Sequence, residues 1–128
     1  MGILSRPVVD RYLQPFTGFL YRPENLSPQS FAVLAELQYK PGKRAHGEPF
    51  WTGIANFAEA KEAGTYTYLW SRDMEYEDVL WSFERYVSEG YLWETHVAGE
   101  LVQQNFKDQK DLRLDTKFSF LRTDLCLV

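Results

Sequence analysis

The chain has 128 residues, a net charge of −4 at pH 7 and an aromatic content of 16%, so we expect one compact domain. The excess of aromatic side chains suits either a dense core or a pocket for a planar ligand. Its longest basic run is the pair Lys43 and Arg44, which excludes nucleic acid as an expected partner because phosphates require a basic surface. No apolar stretch is long enough to span a membrane and no secretory signal is evident, so a cytoplasmic protein is predicted.

Residues 1–29 differ from the rest of the chain because they hold four of its six prolines and show no sustained period. They are predicted to form an irregular N-terminal arm, with at most a short extended piece over residues 16–23. The apolar side chains of such an arm need a surface, either a groove of the same domain or a partner subunit. Residues 30–128 are expected to form the folded domain.

The first half of this domain reads as a strand followed by a helix. Large apolar and smaller or polar side chains alternate over residues 31–39, and Pro41 and Gly42 follow, which predicts a strand and a turn. The next segment contains PFWTGIANFAEAKEAG. There Pro49 can begin a helix and Gly64 can end it.

The second half reads as a hairpin, a helix and a last strand. Residues 65–72 and 79–87 alternate in character on either side of the acidic link DMEYED, which predicts a β-hairpin. Residues from about 89 to 111 have helical spacing, and residues 114–127 are predicted to form the last strand. Cys126 in that strand is expected to be a small buried apolar side chain.

The predicted order is β-α-β-β-α-β, which is the α+β ferredoxin-like arrangement of a four-stranded antiparallel sheet with two helices on one face. Large apolar side chains occur in both alternating sets of the first strand, for example Val33 and Leu34. The sheet face without helices therefore also needs a cover. A homodimer that packs sheet against sheet is the expected solution.

The run GTYTYLWSRD…YEDVLWSFERYVSEGYLWETHVAGELVQQNF follows a strand ending YKPGK and a helix ending EAKEAG. This pattern, over about residues 31–110, resembles the antibiotic biosynthesis monooxygenase domains of the dimeric α+β barrel superfamily. The resemblance implies a homodimer with a ligand pocket between sheet and helices in each subunit. It also implies cofactor-free oxidation of polyketide phenols or anthrones to quinones, as in well-known members. Other members are described as degrading haem, cyclising or decarboxylating, or have no known activity.

Several kinds of site are not indicated by the sequence. His46 and His96 fall on different predicted elements, and no HxH, HExxH or CxxC pattern occurs, so no metal site is predicted. No glycine-rich turn follows a strand as in a dinucleotide site, and no nucleophile elbow is present. We therefore expect no cofactor, and chemistry that depends on acid–base groups and a shaped cavity.

His96 is the candidate catalytic base. It lies at the edge of the apolar side of the second predicted helix, and a histidine exchanges a proton near neutral pH. The alternative is a core histidine that bonds a backbone carbonyl. The resemblance favours a functional role, whereas His46 is interpreted as a surface or helix-start residue.

A group of aromatic side chains is the candidate substrate-binding surface. Tyr66, Tyr68, Trp70 and Arg72 are predicted to project to one side of a strand, where they would line a flat cavity with a cation at its mouth. The alternative is a core or dimer-interface stripe with Arg72 paired to acids. Phe106, on the apolar side of the second helix, is the further binding candidate.

Trp51 and Asn56 flank the apolar stripe of the first predicted helix. Well-studied quinone-forming members have an asparagine and a tryptophan in this helix, so the resemblance implies that Asn56 and Trp51 hold the substrate's oxygens. The alternative for both is a solvated or packed position.

The leading hypothesis is a cofactor-independent monooxygenase that acts on a small aromatic polyketide-like substrate in secondary metabolism. The first alternative is a cyclase, isomerase or decarboxylase that uses the same pocket on an enolisable polyketide. The second alternative is a non-catalytic dimeric binding protein, for which a filled interior is expected.

Overall fold

The computed structural model describes residues 11–20 and 30–122, which form a five-stranded antiparallel sheet with the order β1-β3-β4-β2-β5. The strands are β1 (Leu13–Phe19), β2 (Phe31–Tyr39), β3 (Thr65–Asp73), β4 (Val79–Tyr86) and β5 (Arg113–Arg122). The helices are α1 (Arg44–Lys61), α2 (Glu89–Tyr91) and α3 (Glu100–Gln109), with a π-helix (Leu92–Val97) between α2 and α3. Strands β2 to β5 and the helices have the predicted ferredoxin-like order, so the fold prediction is confirmed.

The N-terminal arm contains more regular structure than the sequence indicated. Leu13–Phe19 forms a full strand that pairs with β3, whereas we expected an irregular arm with only a short extended piece. Pairing satisfies the backbone groups of the β3 edge, and it buries Phe19 in the core, which explains why the strand forms. Pro15 lies beside a β-bulge, one of the few places where a sheet accepts proline. The arm residues 1–10 and 21–29 lie outside the described residues, and so do residues 123–128, which include the end of the predicted last strand and Cys126.

Gly18 is required where β1 approaches β3. Its φ is +112°, and an added Cβ would lie 1.9 Å from the carbonyl oxygen of Tyr68. We therefore expect Gly18→Ala to lower the free energy of unfolding by about 1–3 kcal/mol or more. Gly53 in α1 has open space around its Cα, so Gly53→Ala should raise stability by about 0.5–1 kcal/mol. Urea unfolding of both variants tests this, and equal stability changes would contradict the close approach.

Helix α1 begins at Arg44, before the Pro49 at which the sequence predicted its start. The missing N–H of Pro49 leaves the carbonyl of Ala45 without its helical partner, and Ala45 is an exposed residue. An ion pair of Arg44 with Glu48 supports the first turn. Neither α1 nor another helix of the described ranges combines the length and apolar character needed to cross a membrane.

The second predicted helix, over residues 89–111, is not continuous. The short α2 runs into the π-helix, and Gly99 then adopts an extended conformation, with ψ of 147°, before α3 begins. Hydrophobic spacing did not reveal this break because it measures the average period and not a local extra residue. The π-helix contains His96, and such insertions frequently occur at functional sites.

The two faces of the sheet have different environments. Leu37 and Leu80 on one face pack with Ile54 of α1 and Val102 of α3 in the main hydrophobic core. The opposite face leaves large apolar side chains exposed to solvent in the single chain, namely Leu34, Phe83 and Leu121. The helix-covered face therefore holds the core, and with it the candidate site.

Candidate active site

A cavity of about 230 Å³ opens between the helix-covered face of the sheet, the π-helix and α3. Buried side chains line its inner end, namely Trp51, Tyr68, Trp70, Glu84 and His96. Exposed aromatic side chains surround its mouth, namely Trp93, Phe106, Phe118 and Phe120. An aromatic-walled cavity with a few polar groups at its inner end has the character of a small-molecule site.

Strand register explains why this inner end is aromatic and polar together. Tyr68 of β3 pairs with Glu84 of β4, and Trp70 pairs with Ser82. Neighbours directly opposite one another in an antiparallel sheet project to the same face. The hairpin therefore places the phenol, the indole and a carboxylate side by side under the helices.

His96 forms a buried pair with Glu62. The His96 Nδ1 atom lies 2.7 Å from Glu62 Oε1, and both side chains are about 95% buried, with exposures of 4% and 5%. Thr65 donates a hydrogen bond of 2.7 Å to the same carboxylate oxygen. The imidazole also contacts the rings of Tyr68 and Tyr86, at centroid distances of 5.1 and 5.2 Å. These contacts fix the orientation of the imidazole.

The Glu62 contact determines which nitrogen of His96 is available for chemistry. A carboxylate at Nδ1 accepts the Nδ1–H, so the neutral ring carries its lone pair on Nε2. His96 lines the cavity, and among the described residues Nε2 has no hydrogen-bond partner. His96 can thus accept a proton from a ligand placed in the cavity, and Glu62 would stabilise the resulting imidazolium.

Tyr68 supplies a hydroxyl beside this base. Burial raises the pKa of Tyr68 well above its ordinary value, and the charges of Glu84 and Glu62 raise it further, so the phenol remains protonated at neutral pH. The buried Trp70 N–H is close enough to favour the phenolate slightly, yet it makes no hydrogen bond of ordinary geometry within the described ranges. Tyr68 can therefore donate to a developing oxyanion.

Glu84 is a second buried acid that lines the cavity. Its carboxylate accepts hydrogen bonds from Ser82 Oγ, at 2.6 Å, and from the Tyr86 hydroxyl. Burial, followed by the charge of Glu84, raises the pKa of Tyr86 well above its ordinary value, so Tyr86 remains a donor. Glu84 was not predicted as a site residue, although an acid among the inward-facing residues of β4 was a usable signal. Glu62, also missed, follows the end of α1 and gave no comparable signal.

Trp51 belongs to the site through its ring. It stacks on Trp70 with a centroid distance of 4.0 Å. Its N–H donates to the Tyr39 hydroxyl at 2.8 Å, and Tyr39 in turn donates to Gln109. Burial raises the pKa of Tyr39 to about 12, so this hydrogen-bond chain persists at neutral pH. The indole N–H of Trp51 is therefore occupied, whereas the family resemblance implied that Trp51 would hold a substrate oxygen.

Three residues that the sequence predicted for the site lie elsewhere. Asn56 is on the exposed side of α1. Tyr66 sits in a β-bulge of β3, which breaks the alternation that grouped it with Tyr68, and its ring lies 6.0 Å from the Arg85 guanidinium. Arg72 is tied to a carboxylate of α1 by two hydrogen bonds. The predicted residues that do line the cavity are Trp51, Tyr68, Trp70, His96 and Phe106.

The carboxylate that holds Arg72 is Glu48. Burial alone would raise the pKa of Glu48, but hydrogen bonds from Arg72 and the charges of Arg44 and Arg72 outweigh it, so the net pKa is lowered. Ionised Glu48 therefore stabilises the fold above the ordinary glutamate range, and this stabilisation is lost as pH falls through the lowered pKa. Glu48→Gln should make the unfolding free energy less dependent on acid pH.

Urea unfolding between about pH 7 and about pH 3 measures this dependence. Glu59→Gln, at an exposed position of the same helix, is the matched control and should retain the dependence of the original chain. Identical acid dependence of the two variants would show that ionisation of Glu48 does not contribute to stability.

The described residues contain no group of side chains suited to bind a metal ion. Within residues 11–20 and 30–122, no three His, Cys, Asp or Glu side chains come together in a way that could hold a metal ion. The chemistry that the described residues themselves can supply is proton transfer at His96 and hydrogen-bond donation by Tyr68.

No protein-family model and no curated protein matches the sequence. Solved structures do match. A protein of Fusobacterium nucleatum named as a candidate monooxygenase has a TM-score of 0.70 at 17% identity, over 88% of this chain and 49% of its own. One of Lactobacillus acidophilus, named likewise, has 0.69 at 9% identity, over 88% and 50%. A candidate antibiotic biosynthesis monooxygenase of Caulobacter crescentus has 0.68 at 25% identity, over 77% and 93%.

The chain thus spans about half the length of the Fusobacterium and Lactobacillus proteins and most of the Caulobacter one. These similarities establish an α+β ferredoxin-like fold of the kind found in candidate antibiotic biosynthesis monooxygenases. They support at the level of the fold the resemblance that the sequence showed.

Proposed function

We propose that the protein is a cofactor-independent monooxygenase that oxidises a small phenol or anthrone-type aromatic compound to a quinone. One observation carries the proposal: the buried Glu62–His96 pair presents a free ring nitrogen to an aromatic cavity beside the Tyr68 hydroxyl. The fold similarity to candidate monooxygenases supports it. A polyketide origin of the substrate would agree with the resemblance in the sequence.

The proposed reaction begins when His96 Nε2 removes a proton from the substrate, while Glu62 stabilises the imidazolium. Tyr68 donates a hydrogen bond to the oxyanion that develops. The carbanion passes one electron to O₂, and the two radicals combine to a peroxide. Loss of water then gives the carbonyl of the quinone, so one oxygen atom enters the product and the other leaves as water.

Oxygen consumption tests this proposal. Metal-free protein is mixed with anthrone in an oxygen electrode, and quinone formation is followed in parallel by absorbance. We expect one O₂ consumed for each quinone formed, at a rate above that with heat-denatured protein. Conversion that proceeds equally well under strict anaerobiosis would exclude the oxygenase.

The anaerobic arm also addresses the alternative of a cyclase, isomerase or decarboxylase. An enolisable substrate needs the same base and oxyanion donor but no oxygen, so its turnover would persist without O₂. A non-catalytic binding protein has less support, since the interior is not filled but contains a cavity lined by His96, Tyr68 and the Glu84 carboxylate.

We further propose that the protein is a homodimer joined through the helix-free face of the sheet. Leu34, Phe83 and Leu121 share this face and expose 42%, 41% and 63% of their surface in the single chain, and burial of such a patch stabilises association. Sedimentation equilibrium should show a dimer that Phe83→Asp dissociates. Phe57→Asp, at a similarly exposed site on α1, is the control. A monomeric original chain would refute the dimer.

A further inference from the structure

Arg113 lines the cavity, and its guanidinium forms no ion pair within the described residues. It is the first residue of β5, pairs with Tyr39 in the sheet and is half-buried. Its guanidinium lies 6.0 Å from the ring centroid of Trp51 and 5.9 Å from that of Phe106. Two aromatic side chains therefore hold the guanidinium beside the cavity mouth.

Other arginines in the described ranges all bond to a polar group, as Arg72 does to Glu48 and Arg122 to Glu89. Of the six arginines in the described ranges, Arg113 alone makes neither an ion pair nor a hydrogen bond. Burial lowers the pKa of Arg113, and its only electrostatic neighbour is the Tyr39 hydroxyl, which is itself uncharged at neutral pH. A half-buried guanidinium without an anion is costly unless a ligand supplies one.

An aromatic wall joins this cation to the base. Arg113 contacts Trp51, which stacks on Trp70 at 4.0 Å, and Trp70 contacts Tyr68 at 6.1 Å. Tyr68 in turn contacts His96 at 5.1 Å. A flat ligand that lies along this wall would present one end to the guanidinium and the other to the imidazole.

The volume limits the size of that ligand. A cavity of roughly 150 Å³ holds a benzene molecule, so the 230 Å³ available here accommodates one or two rings. A larger ring system would have to project through the mouth between Phe106 and Phe118.

We propose that the substrate is a one- or two-ring aromatic compound that carries a carboxylate, which Arg113 binds, and a hydroxyl at its opposite end, which faces His96. This inference rests on the proposed function for the role of His96. It adds the charge, the size and the direction in which the substrate enters. Arg113 accordingly determines specificity, because a bidentate guanidinium–carboxylate pair selects an acid over its neutral analogue.

Binding measurements that do not require turnover test the proposal. Isothermal titration calorimetry compares 6-hydroxy-2-naphthoate with its neutral analogue 6-hydroxy-2-naphthamide. We expect the acid to bind the original chain roughly 10- to 100-fold more tightly than the amide. Arg113→Gln should abolish this preference, and Arg113→Lys should retain part of it. Arg122→Gln, at the other end of the same strand, is the control and should leave the preference unchanged.

Equal affinity for acid and amide, an unchanged preference in Arg113→Gln, or no binding of either compound would each overturn the proposal. Thermal unfolding of every variant shows whether it remains folded, and Arg113→Lys provides the comparison if the glutamine variant does not. An acid preference that depends on Arg113, together with conversion that proceeds equally well under anaerobiosis, would refute the oxygenase while leaving the carboxylate site intact. Oxygen consumption with anthrone but no preference for the acid would refute the carboxylate site while supporting the oxygenase.

Discussion

Replacement of His96 by glutamine is expected to lower kcat by roughly 10²- to 10⁴-fold, the usual contribution of a positioned general base. The imidazole is held by Glu62 at 2.7 Å and by two tyrosine rings, so its replacement removes a base of fixed orientation. Glutamine fills a similar volume and preserves a polar contact with Glu62, so the walls of the cavity should stay in place. The measurement is quinone formation and O₂ consumption at saturating substrate.

His46→Gln is the matched control, because His46 is exposed near the start of α1 and its replacement should leave kcat unchanged. Added imidazole should restore part of the activity of His96→Gly, which a purely structural role would not predict. Glu62→Gln should lower kcat more than it raises KM, since the carboxylate acts by orienting His96. Full activity in His96→Gln at unchanged stability would exclude proton transfer by this residue.

Replacement of Trp70 by alanine is expected to give the largest loss of stability, about 3–5 kcal/mol. Trp70 is 2% exposed, stacks on Trp51 and contacts Tyr68, and removing it would extend the existing cavity into the core. A loss of this size is a large fraction of the total stability of an ordinary domain. Guanidinium unfolding followed by circular dichroism measures it.

Trp93→Ala provides the comparison within the same cavity. Trp93 is 48% exposed at the mouth, so its removal should cost less than about 1 kcal/mol. A Trp70→Ala variant as stable as Trp93→Ala would mean that the stacked indoles do not support the core.

The strands and their order were predictable because they depend on local alternation. Side chains alternate in character over residues 31–39 and over both strands of the hairpin at 65–87, and an antiparallel sheet with helices on one side is the simplest way to bury the more apolar face of each strand. The segments that deviated are those where alternation fails. The bulge at Tyr66 inserts an extra residue, and the π-helix before Gly99 changes the helical period locally.

The candidate site was predictable in its aromatic part and in His96, since these positions lie on apolar faces of regular elements. Glu62 and Arg113 could not be recognised, because each follows or begins an element and its neighbours come from distant parts of the chain. Asn56 illustrates the opposite case. Its position beside an apolar stripe was compatible with the site, but the rotation of α1 on the sheet exposes it.

Local periodicity and composition thus determined the order of the elements and the alternation that groups Tyr68 with Trp70, and the family resemblance added a functional role for His96. Tertiary packing alone decided which nitrogen of His96 is free, which tyrosines stay with it, and which arginine lies unpaired at the cavity. The physical reason is that periodicity is set by neighbours a few residues apart. Ion pairs and cavities depend on contacts such as that of Glu62 with His96, which only the folded chain brings together.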